Sequence, residues 1–374
     1  MPDKNKIGYR PTWAQINLKN LEHNFKQVKS LLKPKVKILV TVKADAYGHG
    51  LIAVSKRLCL SGVDYLGVAS IDEGIKLRKS GIRVPILLLG LILKKGIPAL
   101  FTYQLTPTVC DQELASAINS KAAKLKKTIA LHIKVDTGMG RIGVLHNEAL
   151  ALVRNIHKLN HIKIEGIFTH FAFADLNRKF TDYQINLFNK LVSDLRKEGI
   201  VIPLVHAANS IGLIDYQHSH FTMVRPGLVI YGLYPRSSLK IKLKPVLSLK
   251  TRVVFVKWVG KGTSISYGCT YITKRPGNII TLPIGYGDGY PRNLSNLAPL
   301  LIRGRRFRIA GRVCMDQIMA DVGNFKPKIG EEVVLIGTQG SQKVTAEELA
   351  GLSGTISYEI VCGLGSRIPR IYIQ

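Results

Sequence analysis

The sequence predicts an α/β protein: an N-terminal (β/α)8 barrel of the TIM type, followed by a mostly β C-terminal domain. Between residues 37 and 233, eight apolar strand-like runs alternate with helical patterns, which argues for a parallel sheet closed into a barrel. After Pro235 the chain changes to alternating strands separated by Gly-rich turns. Polar and special residues fall at the C-terminal ends of the first eight runs, where a barrel carries its active site. They are Lys43, Asp136 to Arg141, His170, Asn209-Ser210 and Arg225-Pro226-Gly227. A doubly wound sheet would not need polar groups at so many strand ends.

Taken in order, Trp13 to Leu18 reads as a strand. Lys19 to Leu32 reads as a helix, with Leu21, Phe25, Val28, Leu31 and Leu32 at helical spacing. The first barrel strand is Lys37-Ile38-Leu39-Val40-Thr41-Val42-Lys43, followed by the loop Ala44-Asp45-Ala46-Tyr47-Gly48-His49-Gly50. The later barrel strands are expected at residues 65–70, 85–89, 105–109, 129–136, 162–170, 204–209 and 223–233. Helices are expected at 51–60, 71–79, 94–100, 113–125, 147–159 and 178–197, with a short one after residue 209. In the second domain, residues 246–259, 279–283, 308–313, 318–322, 332–336 and 368–373 alternate like strands. Thr345, Glu347 and Glu348 suit a helix N-terminus over 345–352. The expected domains are residues 1–238 and 239–374, with residues 1–15 free to pack on the second. The boundary falls in Pro235-Arg236-Ser237-Ser238.

Hydrophobic residues make up 46% of the 374, enough for a sizeable core. The start, Met1-Pro2-Asp3-Lys4-Asn5-Lys6, lacks an apolar segment after its charges, and no run reaches bilayer length. Five scattered cysteines without CxxC spacing argue against zinc and disulfide frameworks, so a cytoplasmic chain without metal is expected. Basic residues number 54 against 24 acidic, a net charge of +30. The charges are spread out, the densest at residues 121–127, 240–250 and 303–308. None forms a reading helix or an aromatic-interleaved surface, so a basic solvated surface is favoured over a nucleic-acid site.

Lys43 carries the sharpest chemical signal. A lysine at the end of an apolar strand is costly to desolvate. Burial lowers its pKa, and a neutral amine can form a Schiff base. Seven ordered stretches set this lysine in context. They are Val42 to Gly50, Lys134 to Gly143, Thr169-His170-Phe171-Ala172, Arg225-Pro226-Gly227, Ser266-Tyr267-Gly268, Gly285-Tyr286-Gly287-Asp288-Gly289 and Gly311-Arg312-Val313-Cys314-Met315-Asp316. Together they resemble the motifs of bacterial alanine racemases, nearly end to end and in the same order.

That resemblance implies a pyridoxal-phosphate barrel joined to a β domain, in a homodimer with shared active sites. It implies two-base interconversion of L-alanine and D-alanine, supplying D-alanine for peptidoglycan. Lys43 would hold pyridoxal 5'-phosphate. Tyr47, Ser210, Tyr358 and the amides of Gly227 and Leu228 would hold its phosphate, since Gly permits close approach. Ser210 could also cap a helix. Arg225 would face the pyridine nitrogen and keep it unprotonated, because a guanidinium cannot give up its proton. Tyr267 of the second subunit would be the second base, with His170 and Arg225 lowering its pKa. Arg141 would contact the cofactor phenolic oxygen and the substrate carboxylate, to which Met315 would add its backbone N–H. Lys134 aligns with a lysine that is carbamylated in some members. Tyr286 and Arg292 resemble entrance residues. Other readings are a racemase of another small amino acid such as serine, a decarboxylase of the same architecture, and a non-catalytic cofactor carrier. The decarboxylase would place an acid where Arg225 stands, and the carrier would lack the domain holding Tyr267.

Overall fold

The computed structural model describes residues 9–236 and 238–374. Ser237 of the expected domain boundary and residues 1–8 lie outside the described residues. Eight parallel strands form the barrel. Met223–Val224, Lys37–Thr41, Tyr65–Val68 and Ile86–Leu88 make one run of neighbours. Thr108–Val109, Ile129–Asp136, Ile162–Phe168 and Leu204–His206 make the other. Backbone bonds close the two seams: Leu88 N–H donates to Thr106 O (2.9 Å) and Thr222 N–H to Val205 O (3.1 Å). Leu39, Tyr65, Leu87, Leu204 and Met223 point inward and pack together as an apolar plug, so the barrel is filled rather than hollow.

Local chemistry explains the surrounding helices. Leu18–Ser30 begins where the Asn17 side chain accepts the Asn20 N–H (3.0 Å). Its buried stripe is Leu18, Leu21, Phe25 and Val28, at the spacing of one helix face. Arg178–Lys197 starts at Asn177 and buries Ile185, Phe188, Leu191 and Leu195. Ala346–Ser353 is capped by Thr345, whose Oγ1 accepts the Glu348 N–H (3.1 Å).

The strand Thr12–Asn17 belongs to the sheet of the second domain. It pairs antiparallel with Leu247–Arg252 and parallel with Arg370–Ile373. The ten-stranded sheet continues through Glu332–Gln339, Pro299–Ile302, Arg305–Ile309, Ile318–Gly323 and Gly277–Leu282 to an edge strand, Phe255–Val259. The basic run after Ile302 lies in this sheet, where Arg303 pairs with Glu331 and Arg306 with Glu348. No helix among the described residues is long and apolar enough to cross a membrane.

Several expectations need correction. The eighth barrel strand ends at Val224, not Leu233. Pro226 and Gly227 break it, and Leu228–Tyr231 turns into a 3-10 helix; a buried apolar run does not by itself separate strand from helix. The strand Pro299–Ile302 and the helix Ser357–Cys362 were not expected. The first barrel strand ends at Thr41, and the chain after Lys43 turns left-handed. Ala44, Asp45, Ala46 and Tyr47 have φ of 52°, 53°, 54° and 54°. Each such residue costs roughly 1–2 kcal/mol relative to right-handed backbone, so neighbours must hold the run. The Asp45 carboxylate accepts the Leu51 N–H (2.7 Å), and Arg370 Nε donates to Gly48 O (3.0 Å). Gly48 (φ 76°) seats against the second domain, where a Cβ would lie 2.1 Å from Val361 O.

Candidate active site

The left-handed turn brings Lys43 to the mouth of a cavity of about 410 Å³ at the C-terminal ends of the strands. Lys43, Lys134, Arg141, Arg225 and His170 line it, and no carboxylate does so among the described residues. Such a cavity suits a ligand with several negative charges. The cations repel one another and are desolvated, so proton affinities fall. Burial, reinforced by Arg141, lowers the Lys43 pKa. Burial and then Arg225 and Arg141 bring Lys134 down to about 7. His170 is held well below its ordinary range by burial and by Arg225, which keeps it neutral. Arg225, fully buried, is lowered to about 9 by burial alone and stays cationic at neutral pH.

Among the described residues Arg225 has no carboxylate partner. Its guanidinium donates to Thr169 O (2.6 Å), Ala207 O (3.0 Å), His206 Nδ1 (2.9 Å) and, more loosely, His170 Nδ1 (3.4 Å). Arginine can only donate, so His206 accepts at Nδ1 and carries its proton on Nε2. That proton goes to His132 Nδ1 (2.9 Å), and His132 Nε2 then donates to Glu165 (3.4 Å). A buried line of hydrogen bonds thus runs from the cavity through the barrel core to a partly exposed carboxylate, fixing both histidine tautomers on its way.

One end of the cavity is a cradle of hydroxyls. Ser210 Oγ accepts the Gly227 N–H (3.0 Å), leaving its own proton to give. A Cβ on Gly227 would lie 2.8 Å from the Tyr47 hydroxyl, so glycine is what allows strand end and tyrosine to meet. Tyr358 packs on Tyr47 with ring centroids 5.6 Å apart. Asn209, not Ser210, caps the helix Ser210–Asp215, its side chain accepting the Ile211 (3.1 Å) and Gly212 (2.9 Å) amides. Ser210 is therefore free for a ligand.

Arg141 sits in a loop shaped by Asp136. That carboxylate accepts the amides of Gly138 (2.8 Å), Met139 (2.9 Å) and Gly140 (2.9 Å). Burial pushes the Asp136 carboxyl up, but these amides bring its pKa down overall.

The expected site residues divide into two groups. Lys43, Tyr47, Lys134, Arg141, His170, Ser210, Arg225, Gly227 and Tyr358 share the cavity wall. Leu228 is buried just behind it. Tyr267, Tyr286, Arg292 and Met315 are not on that wall. Within one chain Tyr267 is 73% exposed, Met315 53% and Tyr286 42%, and Arg292 is exposed. Sequence reasoning missed His132, His206 and Glu165. It also missed Gln184, whose amide donates to His170 O and Thr137 Oγ1 (both 3.2 Å). One signal was available: His132, Lys134 and Asp136 alternate along a strand whose other residues are apolar, as polar residues aimed into a barrel would.

Comparison with known proteins sets this geometry among relatives. Residues 16–235 match the family model for the alanine racemase N-terminal domain, and residues 246–372 match the C-terminal domain model. The chain is 50% identical over 372 residues to an alanine racemase of Halothermothrix orenii, covering 98% of each. It is 46% identical to one of Symbiobacterium thermophilum, again covering 98% of each. The fold is similar to the solved alanine racemase of Clostridium difficile 630, with a TM-score of 0.93 and 40% identity, covering 98% of this chain and 96% of that one.

Proposed function

The chain belongs to the alanine racemase family, and from that premise we propose how its residues interconvert L-alanine and D-alanine. The observation that carries the reading is the barrel cavity in which lysines and arginines meet a hydroxyl cradle with no carboxylate among the described residues. These residues fit pyridoxal 5'-phosphate, the cofactor on which the family depends. Tyr47, Ser210, Tyr358 and the amides at Gly227 and Leu228 would hold its phosphate. Lys43 would hold it covalently, and Arg225 would face its ring nitrogen. When bound, the cofactor draws electron density away from the substrate Cα and so acidifies its proton.

Every other task falls to this chain. Arg225 stays protonated and donates, so it gives the ring nitrogen no proton. Arg141 receives the substrate carboxylate, joined by the Met315 N–H of a second copy. Lys43 holds or takes a proton on one face of Cα. Tyr267 of the second copy does so on the other, since inversion needs bases on opposite faces. His170, neutral and tied to Arg225, is the group that relays charge toward Tyr267. Tyr286 and Arg292 would line the entrance. The depressed proton affinity of Lys43 supports its role as a base.

We assign residues 1–238 to the cofactor-binding barrel and 239–374 to the β domain, with the strand Thr12–Asn17 packed on the latter, as its pairing supports. D-alanine for peptidoglycan in the cytoplasm is the role we infer. The test is borohydride reduction of the purified holoprotein followed by peptide mapping, alongside an alanine-isomer assay. The expected result is racemase activity, with the reduced label on Lys43. A label on another lysine would overturn the site assignment.

A further inference from the structure

The left-handed turn that begins at Lys43 is tied down from outside by Glu73. This residue lies in the first turn of the helix Ile71–Lys79, after the N-cap Ser70. In sequence, Ser70-x-x-Glu73 reads as a capping box, in which the glutamate would return to the Ser70 amide. Here only half the box forms. Ser70 Oγ accepts the Glu73 N–H (3.3 Å), but the carboxylate is used elsewhere. Its Oε1 accepts the Ala44 N–H (2.6 Å) and its Oε2 the Ala69 N–H (2.8 Å). Ala44 follows Lys43. Ala69 follows Tyr65–Val68, the barrel neighbour of Lys37–Thr41. One carboxylate therefore bridges the ends of two adjacent strands beside the cofactor lysine, where Val42 N–H already donates to Gly67 O (2.8 Å).

We propose that Glu73 is a positioning residue for Lys43: its two oxygens hold the turn that aims Nζ into the cavity, and its charge stands against the surrounding cations. The inference rests on the reading of Lys43 as the cofactor lysine. The charged and titratable groups acting on the Lys43 amine are Arg141, Glu73 and Cys362, and Lys43 in turn acts on Lys134 and His170. Of these Glu73 alone is a carboxylate. A neutral side chain at 73 removes the opposing charge and also one of the two amide acceptors.

The test compares wild-type holoenzyme with Glu73→Gln and Glu73→Asp. It measures kcat and KM for alanine, the melting temperature, and the pH midpoint of the bound cofactor's absorbance change. Glu73→Gln is expected to lower kcat about tenfold or more while KM changes less than about threefold. Its midpoint is expected to fall by about half a unit, because a charge favouring the protonated form has gone. Glu73→Asp keeps the charge but shortens the reach, so its midpoint returns toward wild type while kcat stays low. A glutamate that served the fold alone would change only the melting temperature. Unchanged kcat and midpoint in Glu73→Gln overturn the proposal. If that variant does not fold, wild-type kcat in Glu73→Asp overturns it instead. A borohydride label away from Lys43 would remove the underlying reading, an outcome distinct from either.

Discussion

Lys134 shows how surroundings rewrite the chemistry of one side chain. It is 3% exposed, and its amine lies over the Phe168 ring, 5.3 Å from the centroid. Burial, Arg225 and Arg141 lower its pKa from 10.5 to about 7. A neutral fraction of the amine is therefore present near neutral pH, and a neutral amine attacks CO2, releasing one N–H proton to solvent as the N–C bond forms. The resulting carbamate would place an anion between arginines in a cavity without one. The direction with pH follows: the neutral fraction grows as pH rises through about 7, so occupancy at fixed CO2 should grow between about pH 6 and pH 8. Native mass spectrometry in bicarbonate should show an adduct of one CO2, lost on acidification and absent in Lys134→Met. No adduct at the upper end of that range would mean the amine remains protonated. The sequence made Lys134 visible only through the family resemblance; its alternation with His132 and Asp136 was a signal left unused. It did not reveal the neighbour that perturbs it most, because Arg225 arrives from the far side of the barrel.

At the scale of elements, strands and helices were legible wherever periodicity and caps agreed. The helices 51–60, 71–79 and 178–197 follow their patterns to the residue. The left-handed run was not legible. Nothing in Ala44-Asp45-Ala46-Tyr47 demands positive φ; that conformation is imposed by Glu73, by the Asp45 side chain and by Arg370 of the last strand. Nor was the turn after Val224, where Gly227 matters for space rather than for its φ of −126°. A methyl there would press on the Tyr47 hydroxyl, itself buried and packed between Tyr231 and Tyr358. Gly227→Ala should thus injure the ligand cradle more than the fold. Cofactor titration of the apoprotein, followed by absorbance, should show about tenfold weaker binding. The melting temperature should drop by only a few degrees. Unchanged cofactor affinity would place the phosphate away from Gly227.

The whole molecule leaves part of the proposed machinery outside its own cavity. Lys43, His170 and Arg225 converge within the barrel, while Tyr267 and Met315 stand exposed on the second domain. The Met315 loop is anchored there: Tyr286 N–H donates to Cys314 O and Gly287 N–H to Met315 O (both 2.9 Å), so the entrance tyrosine and the Met315 loop form one unit, and Ser266, beside Tyr267, donates to Arg312 O (2.7 Å). Asp288, fully buried, fixes that unit by pairing with Arg10 and, at 3.4 Å, with Arg367. An exposed Tyr267 with no hydrogen-bond partner for its hydroxyl among the described residues gains a purpose if a second copy brings its cavity to it. The active unit would then be a homodimer in which each site borrows Tyr267, and two inactive variants would complement one another. Lys43→Ala and Tyr267→Phe, each inactive alone, should be mixed under conditions that exchange subunits. In the heterodimer one site holds both wild-type bases and the other holds neither. Random pairing makes heterodimers about half of the population, so activity should return to about a quarter of wild-type sites, given independent sites and equal subunit affinities. If mass analysis confirms heterodimers yet no activity returns, Tyr267 serves the lysine of its own chain, and the exposed loops need another explanation.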